Sequence, residues 1–269
     1  MNIFWIIFFV NLGTHFKIKT FIAMKKLIAL VFLTSLASLA IAQDNDTIKF
    51  ERKNVVKFLP LNIPFQSISF EYERMINSKN SITLGIGLPN QKSIMGKYGI
   101  DASSDLKTAE IGTMHLRAAY RHYTGKSKLP KGFYIEPYLK YQKIKGTASI
   151  IGTEDQTGQT YKGDFDLNLN TINLGFQLGT QFLIAKSITL DLYFIGLEGG
   201  FLSGNVNAIS DQLSDAINVK DDLDKAVADL PSFIGDKITI TQTGNKVNAK
   251  ASSIPYPWLR CGFSIGIAF

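Results

Sequence analysis

Cysteine and charged residues are scarce in this sequence of 269 residues, and long apolar runs are missing from most of it. The single cysteine excludes an internal disulfide and a cysteine-based metal cluster. Charged residues make up 19% and hydrophobic residues 45% of the chain, which excludes a disordered protein. After Gln43 no apolar stretch approaches the ~20 residues that a transmembrane helix needs. The body of the chain is therefore expected to fold without helical membrane spans.

The net charge of +7 is unevenly distributed. Residues 1–42 contain four lysines and no acidic residue, so the remainder of the chain carries only +3. A charge this small and scattered is too weak for a nucleic-acid footprint. The sequence predicts no nucleic-acid partner.

The first 42 residues have the pattern of an export signal. Met24-Lys25-Lys26 forms a positive start, and the apolar stretch from Leu27 to Leu39 follows it. Ala40-Ile41-Ala42 then supplies the small-x-small pattern of a signal-peptidase site. Residues 1–42 are predicted to be a cleaved secretory signal peptide. The residue directly after the cleavage site is Gln43 and not a cysteine, so we expect no lipid anchor.

Residues 1–23, which precede that pattern, have two interpretations. Either the true first residue is Met24, or the chain begins with a long bipartite signal. Residues 43–52 are predicted to form a short periplasmic segment before the folded body.

The rest of the chain alternates between apolar and polar or small residues. The pattern is clearest in four segments, 67–73, 81–88, 173–179 and 187–194. Successive side chains of a β-strand point to opposite faces, so each segment is expected to form a strand with one apolar face.

Two architectures share this alternation, a soluble sandwich with apolar residues inside and a membrane barrel with apolar residues outside. The export signal without a lipid anchor favours the barrel. A row of small residues also favours it, because a narrow barrel has room inside for little else. These glycines are Gly85, Gly87, Gly175, Gly179, Gly262 and Gly266.

The end of the chain is the third feature that favours a barrel. Its apolar row is similar to the insertion signal of bacterial outer-membrane β-barrels, which ends in a C-terminal aromatic residue. The residues of this predicted insertion signal are Phe263, Ile265, Ile267 and Phe269.

The fold class predicted from these observations is all-β, an eight-stranded antiparallel transmembrane β-barrel with one helical extracellular loop insertion. The barrel is assigned to residues 53–269. Connections at 89–110, 148–164 and 206–253 are expected to be long outer loops, and the helical insertion lies in the last. The predicted strands are 54–61, 66–76, 80–88, 111–124, 132–147, 165–184, 187–205 and 254–269.

The last loop has its own pattern. Apolar residues recur at helical spacing between Asp211 and Leu230, with Ser210 as the predicted N-cap and Pro231 as the stop. The acidic side of this helix is either a solvated face or, through Asp221, Asp222 and Asp224, a cation site. Its apolar side is expected to cover the barrel mouth or to bind a partner. Residues 237–242 alternate again and are expected to extend the sheet.

Several short segments resemble small outer-membrane β-barrel proteins of the Bacteroidota type, a group mostly of unassigned function. The resemblance supports the architecture and the location, and it adds almost nothing about activity. It rests on Asn54–Lys57, Pro60 and Pro64, Phe70–Arg74, Ser81–Gly87, Gly132–Tyr134, Pro137-Tyr138 and the final Phe269.

Outward-facing apolar rows place a set of charged residues inside the barrel. Because buried charges are tolerated only in pairs, we expect an interlocked salt-bridge plug. The alternative is a narrow polar path for small ions, although eight strands leave an interior just filled by side chains. The predicted interior residues are Glu71, Glu73, Arg117, Arg121, Glu136, Lys140, Asp191 and Arg260.

The functional prediction is a non-enzymatic protein of the Gram-negative outer membrane, with a structural or surface-interaction role. Its expected partners are membrane lipid, the barrel-assembly machinery and periplasmic chaperones, and no metal or cofactor is predicted. The first alternative is a narrow channel or a small-molecule or lipid transport barrel. The second is an enzyme that modifies lipid A, with His115 a better candidate base than His122.

Tyr256 and Trp258 have two interpretations, an aromatic girdle at the membrane interface or a sugar-stacking surface. Cys261 has the parity of the lipid-facing row, where a small apolar residue is expected.

Overall fold

The computed structural model describes residues 52–90, 92–93, 106–125, 129–153, 160–185, 187–211 and 219–269. All of them belong to one compact unit, Phe50–Phe269. The predicted signal peptide at 1–42 and nearly all of the segment 43–52 lie outside the described residues.

Antiparallel β-strands make up nearly all of this unit, and the prediction of an all-β antiparallel fold is confirmed. A short 3-10 helix at Pro60–Asn62 and the helices α1 (Lys220–Ala228) and α2 (Ser232–Gly235) are the helical elements of the described residues. The strands are β1 Asn54–Phe58, β2 Ser67–Met75, β3 Asn80–Pro89, β4 Lys92–Ser93, β5 Leu106–Tyr123, β6 Gly132–Thr153, β7 Thr160–Ile184, β8 Ile188–Ser210, β9 Ile238–Thr243, β10 Lys246–Pro255 and β11 Trp258–Ala268.

Eight of these strands close into a ring, in the order β11-β1-β2-β3-β5-β6-β7-β8. The last strand closes the ring because it pairs on both edges. On one edge of β11, Ala268 lies opposite Val55 of β1, and on the other edge Ile265 lies opposite Leu190 of β8. β9 and β10 continue the sheet beyond β8, outside the ring, and β4 pairs with β5.

The two faces of the ring differ sharply in chemistry. In β2 every second residue is buried, as the period of a strand requires. The exposed outward residues are large and apolar, and Leu174 and Leu259 are 69% and 73% exposed. The buried inward residues are polar or charged, and Glu73 and Arg121 are fully buried. The ring is therefore apolar outside and ionised inside.

Three strands extend well past the ring. β6 continues to Thr153, β7 begins at Thr160 and β8 continues to Ser210. The expectation of an outer loop over 148–164 is therefore wrong for most of that range, because its backbone forms the paired ends of β6 and β7. Strand β9 (Ile238–Thr243) includes all but the first residue of the range 237–242 that the sequence predicts to extend the sheet.

The polarity of the sheet inverts in this extension. Along β7 the outward positions Phe176, Leu174 and Ile172 are followed by Asn170 and Asn168. On the neighbouring strand β6 the outward residues change from apolar to polar at the same level. Tyr141 lies opposite Ile172, and Lys143 lies opposite Asn170. On the inward side the polar row gives way to apolar residues, which are Ile144, Leu167, Leu169, Leu202 and Val206.

Residues 212–218 of the predicted loop helix lie outside the described residues. Ser210 is not an N-cap but the last residue of β8, where it pairs with Gly163. The helix α1 begins at Lys220, and its first turn is capped by a residue of β9. The Gln242 side-chain oxygen accepts hydrogen bonds from the backbone N–H groups of Val219 and Lys220, each 3.1 Å long. None of the helices in the described ranges has the length and apolar character needed to cross a membrane.

Candidate functional site

The inward face of the ring gathers charged side chains from strands that are distant in sequence. Arg117 and Arg121 lie four residues apart on one face of β5, where they oppose Gly85 and Ser81 of β3. The glycine and the serine occupy little volume, so the long arginine side chains can extend across the interior. The site therefore depends on small residues on one wall and long ionised residues on another.

Arg121 is at the centre of the buried charges. Its Nη1 atom donates to Asp191 Oδ2 of β8 at 2.8 Å, and its Nε atom donates to Glu136 of β6. The guanidinium also lies over the ring of Tyr134, 3.7 Å from the centroid. One side chain thus links β5, β6 and β8 across the interior.

Lys57 of β1 joins the same cluster. Its Nζ atom lies 2.7 Å from Glu73 Oε2 and 2.8 Å from Asp191 Oδ2, and all three side chains are buried. Glu73 in turn accepts hydrogen bonds of 2.6 Å from the hydroxyls of Ser81 and Tyr123. The carboxylates here have both a cation and hydroxyl donors, as buried charges require.

Arg117 connects a second layer of charges to the first. Its Nη1 atom donates to Glu71 Oε1 at 2.8 Å, and its Nη2 atom donates to Glu136, which Arg121 also contacts. Arg260 of β11 reaches the same oxygen of Glu71 at 3.6 Å. Lys57, Glu71, Glu73, Arg117, Arg121, Glu136, Asp191 and Arg260 therefore form one continuous network, called here the interior network.

Lys140 has the same inward parity but stands apart from that network. Its Nζ atom pairs with Glu198 of β8, near the end of the ring from which β6, β7 and β8 extend. That end is called here the mouth. The sequence placed Lys140 in the interior, and the structure gives it a separate partner.

Sequence reasoning missed two members of the interior, Lys57 and Glu198. The signal that could have found them is the alternation itself. Lys57 stands between the outward residues Val56 and Phe58, and Glu198 follows the outward Leu197. With both included, five cations and five carboxylates meet inside the described ring, so the interior is balanced in formal charge.

Tyrosines pack against glycines on the neighbouring strands. Tyr138 lies directly opposite Gly175, and Tyr193 lies directly opposite Gly262. A Cβ atom on Gly175 would lie 2.2 Å from Cζ of Tyr138, which no real contact allows. The glycine row predicted from the sequence therefore makes room for aromatic rings as well as for charges.

The predicted insertion signal lies on β11 and at its end. Ile265, Ile267 and Phe269 point outward and are 49%, 62% and 58% exposed, and Phe263 shares their parity. The backbone N–H of Phe269 donates to the carbonyl of Asn54, which joins the end of the chain to β1. Cys261 is exposed on the same strand.

The two histidines of β5, His115 and His122, lie in different surroundings. His115 is inward, and its ring lies over Gly87 of β3. His122 is exposed, and its Nδ1 atom lies 2.7 Å from Asn80 Oδ1. Within the described ranges neither forms a hydrogen-bonded chain with a serine and a carboxylate. The described residues also contain no group of three or more His, Cys, Asp or Glu side chains placed to hold a metal ion.

Tyr256 and Trp258 lie at the mouth, on the inward side. Trp258 is directly opposite Glu198, whereas the outward Leu259 opposes Leu197. The two aromatic rings are nearly parallel, with centroids 5.9 Å apart and an interplanar angle of 8°. Since an interfacial girdle faces outward, this register contradicts the girdle interpretation for Trp258, on which Tyr256 stacks.

The chain was compared with protein-family models, with curated proteins and with solved structures, and none of them matches it.

Proposed function

We propose that this protein is an eight-stranded β-barrel of a Gram-negative outer membrane, with a structural or surface-interaction role and no enzymatic activity. The observation that supports this most strongly is the inverted ring, apolar outside and ionised inside. In water this arrangement would expose large apolar side chains all around the molecule, whereas in a bilayer the same side chains meet hydrocarbon.

The dimensions of the ring suit a membrane. A transmembrane β-strand needs ~9–11 residues at a tilt of ~45°. β2, β3 and β11 have 9, 10 and 11 residues. One circuit of the paired residues shifts the register by about ten positions, which for eight strands corresponds to a tilt of roughly 40°.

The outward surface is apolar around most of the ring. A shallow cleft of about 710 Å³ crosses it between two rows of apolar side chains, with the small Ala118 among its lining residues. This cleft lies on the outside, so it is suited to contact with acyl chains rather than to passage through the ring.

The level at which polarity inverts is our proposed membrane boundary on the extracellular side. Below this level the outward residues are Ile172 and Tyr141, and above it they are Asn170 and Lys143. The extended ends of β6, β7 and β8 then stand in water with polar residues outward, like an ordinary soluble sheet. We propose that this extension is the part that meets partners outside the cell.

We propose that the interior is closed, which favours a structural role over transport. Salt bridges cross the ring from β5 to β2, β6 and β8, and Lys57 fills the space near β1. We propose that membrane lipid, the barrel-assembly machinery and periplasmic chaperones are its partners during assembly, with the outward residues of β11 as the insertion signal.

Fractionation tests this proposal directly. The full chain is expressed in a Gram-negative host, and membranes are washed with alkaline carbonate before detergent extraction. We expect the protein in the outer-membrane fraction, with faster gel migration before boiling than after it, because a closed barrel resists unfolding in the gel. Recovery in the soluble periplasm with no heat-dependent shift contradicts the proposal.

A further inference from the structure

We propose that the mouth of the ring binds a neutral sugar unit, stacked on Trp258 and hydrogen-bonded to Glu198 and Asn173. This inference goes beyond the structural role proposed above. It rests on two independent features of the mouth, an exposed aromatic surface and buried oxygen atoms that lack donors.

The register brings these groups together on the inward face. Trp258, Glu198, Gly175 and Tyr138 form one row of directly opposed residues across β11, β8, β7 and β6. In the next row towards the extension, Asn173 lies between Gly200 and Lys140. The backbone N–H of Tyr256 donates to the carbonyl of Gly200 at 2.9 Å, which places the aromatic pair beside that row.

The aromatic pair provides a flat apolar surface beside the charged interior. Trp258 is 49% exposed even though it faces inward, and Tyr256 supports it from one side. A half-exposed indole next to polar groups is suited to a ligand with one apolar face and one polar edge.

The second feature is a pair of buried oxygens without donors. Glu198 Oε2 and Asn173 Oδ1 are both buried, and no described residue donates a hydrogen bond to either atom. A buried acceptor without a donor costs about 1–3 kcal/mol, so such atoms in a folded protein point to a missing donor. Hydroxyl groups of a ligand can supply that donor.

The local charge selects the class of ligand. Glu198 is already paired with Lys140, so the mouth carries no net charge from this pair. A strongly charged ligand would leave an unpaired charge beside it. A pyranose has an apolar C–H face for the indole and several hydroxyl donors at its edge, and it adds no charge.

Trp258 itself reports on the site. The chain has two tryptophans, and Trp5 lies in the predicted signal peptide, so Trp258 is expected to be the sole tryptophan of the mature protein. The purified chain is titrated with methyl α-glucopyranoside, methyl α-galactopyranoside and methyl α-mannopyranoside. A polyoxyethylene detergent is used, because maltoside headgroups would compete with the sugars. We expect a saturable change in tryptophan emission with at least one of them.

Substitutions of Trp258 and its neighbour then test whether the sugar binds at the mouth. Saturation-transfer NMR should show affinity about tenfold weaker in Trp258→Ala, because loss of ring stacking removes ~1.4 kcal/mol. Trp258→Phe keeps an aromatic face and should retain most of the affinity. Leu259→Ala, one residue away on the outward face, is the matched control and should bind normally. Heat-dependent gel migration verifies that each variant is folded.

Three results would overturn the inference. The first is the absence of saturation with every sugar up to about 100 mM, which means that water alone satisfies the two oxygens. The second is saturation by tetramethylammonium with the sugars inert, which indicates a cation–π site. The third is unchanged sugar binding in folded Trp258→Ala. The titration is performed in micelles, so its result is independent of where the protein resides in the cell.

Discussion

At the scale of single residues, the buried charges of the interior stabilise one another. Arg121 contacts three carboxylates, Glu73, Glu136 and Asp191, and all four side chains are buried. Burying each charge alone would cost several kcal/mol, and the mutual contacts offset that cost. The loss of one member therefore affects several others.

Replacing Arg121 tests this dependence. We expect Arg121→Gln to lower the free energy of unfolding by about 3–5 kcal/mol, because it leaves buried carboxylates with too few cations. Urea unfolding in phospholipid vesicles measures the change. Lys162→Met is the matched control, since the pair between Lys162 and Asp164 is exposed and should contribute nothing measurable. Equal stability of Arg121→Gln and the parent chain would show that the interior network is not stabilising.

The contact of Tyr138 with Gly175 gives a second prediction at this scale. Gly175→Ala should destabilise the protein by about 1–3 kcal/mol, because its Cβ atom overlaps the Tyr138 ring. In a Tyr138→Ala background the same substitution should cost much less, which a double-mutant cycle measures. Gly199→Ala is the control, since a Cβ atom there meets nothing within 4 Å. Independent, additive effects at 138 and 175 would contradict the packing described.

At the scale of elements, the strands β6, β7 and β8 each contain two environments. Their ring portions are apolar outward, and their extended portions are polar outward. A regular strand keeps its alternation throughout, so only a change of surroundings along its length accounts for the inversion.

Cysteine labelling along β7 tests that boundary. In a Cys261→Ser background, Asn168→Cys in intact cells should react with a charged, membrane-impermeant maleimide, whereas Leu174→Cys should react only after solubilisation and unfolding. Both positions point outward, so a difference in labelling reports their depth in the membrane and not the side of the sheet on which they lie. Equal labelling of the two cysteines in cells would place the boundary elsewhere or remove it.

At the scale of the whole molecule, we propose that the side chains of the interior network close the ring. The interior network joins β1, β2, β5, β6, β8 and β11, and it lies below the mouth. α1 and α2 belong to the segment between β8 and β9, outside the ring. Closure by the network therefore does not require the helices.

Planar-bilayer recording tests whether the interior network or the helices α1 and α2 close the ring. We expect no steady conductance from the intact chain, and none from a variant that lacks residues 220–235, because the salt bridges remain. A porin recorded in the same bilayer is the positive control. A steady open state of the intact chain favours the narrow-channel alternative, and opening after the deletion alone would assign closure to the helices.

Alternation in the sequence is enough to predict that strands form and which residues share each face. Arg117 and Arg121 were assigned inward together with Glu71 and Glu73, because period two depends only on local backbone geometry. Lys57 was overlooked on β1, a strand of five residues whose short pattern gives a weak signal.

Local sequence is sufficient to predict which face of each strand is apolar, since each side chain's direction follows from its position in the strand. Three contacts could not be predicted in this way: Lys57 pairs with Asp191, Gln242 caps α1, and Trp258 lies opposite Glu198. Those contacts depend on which strands become neighbours and in which register they pair. Register is a property of the closed sheet as a whole, and no local stretch of sequence contains it.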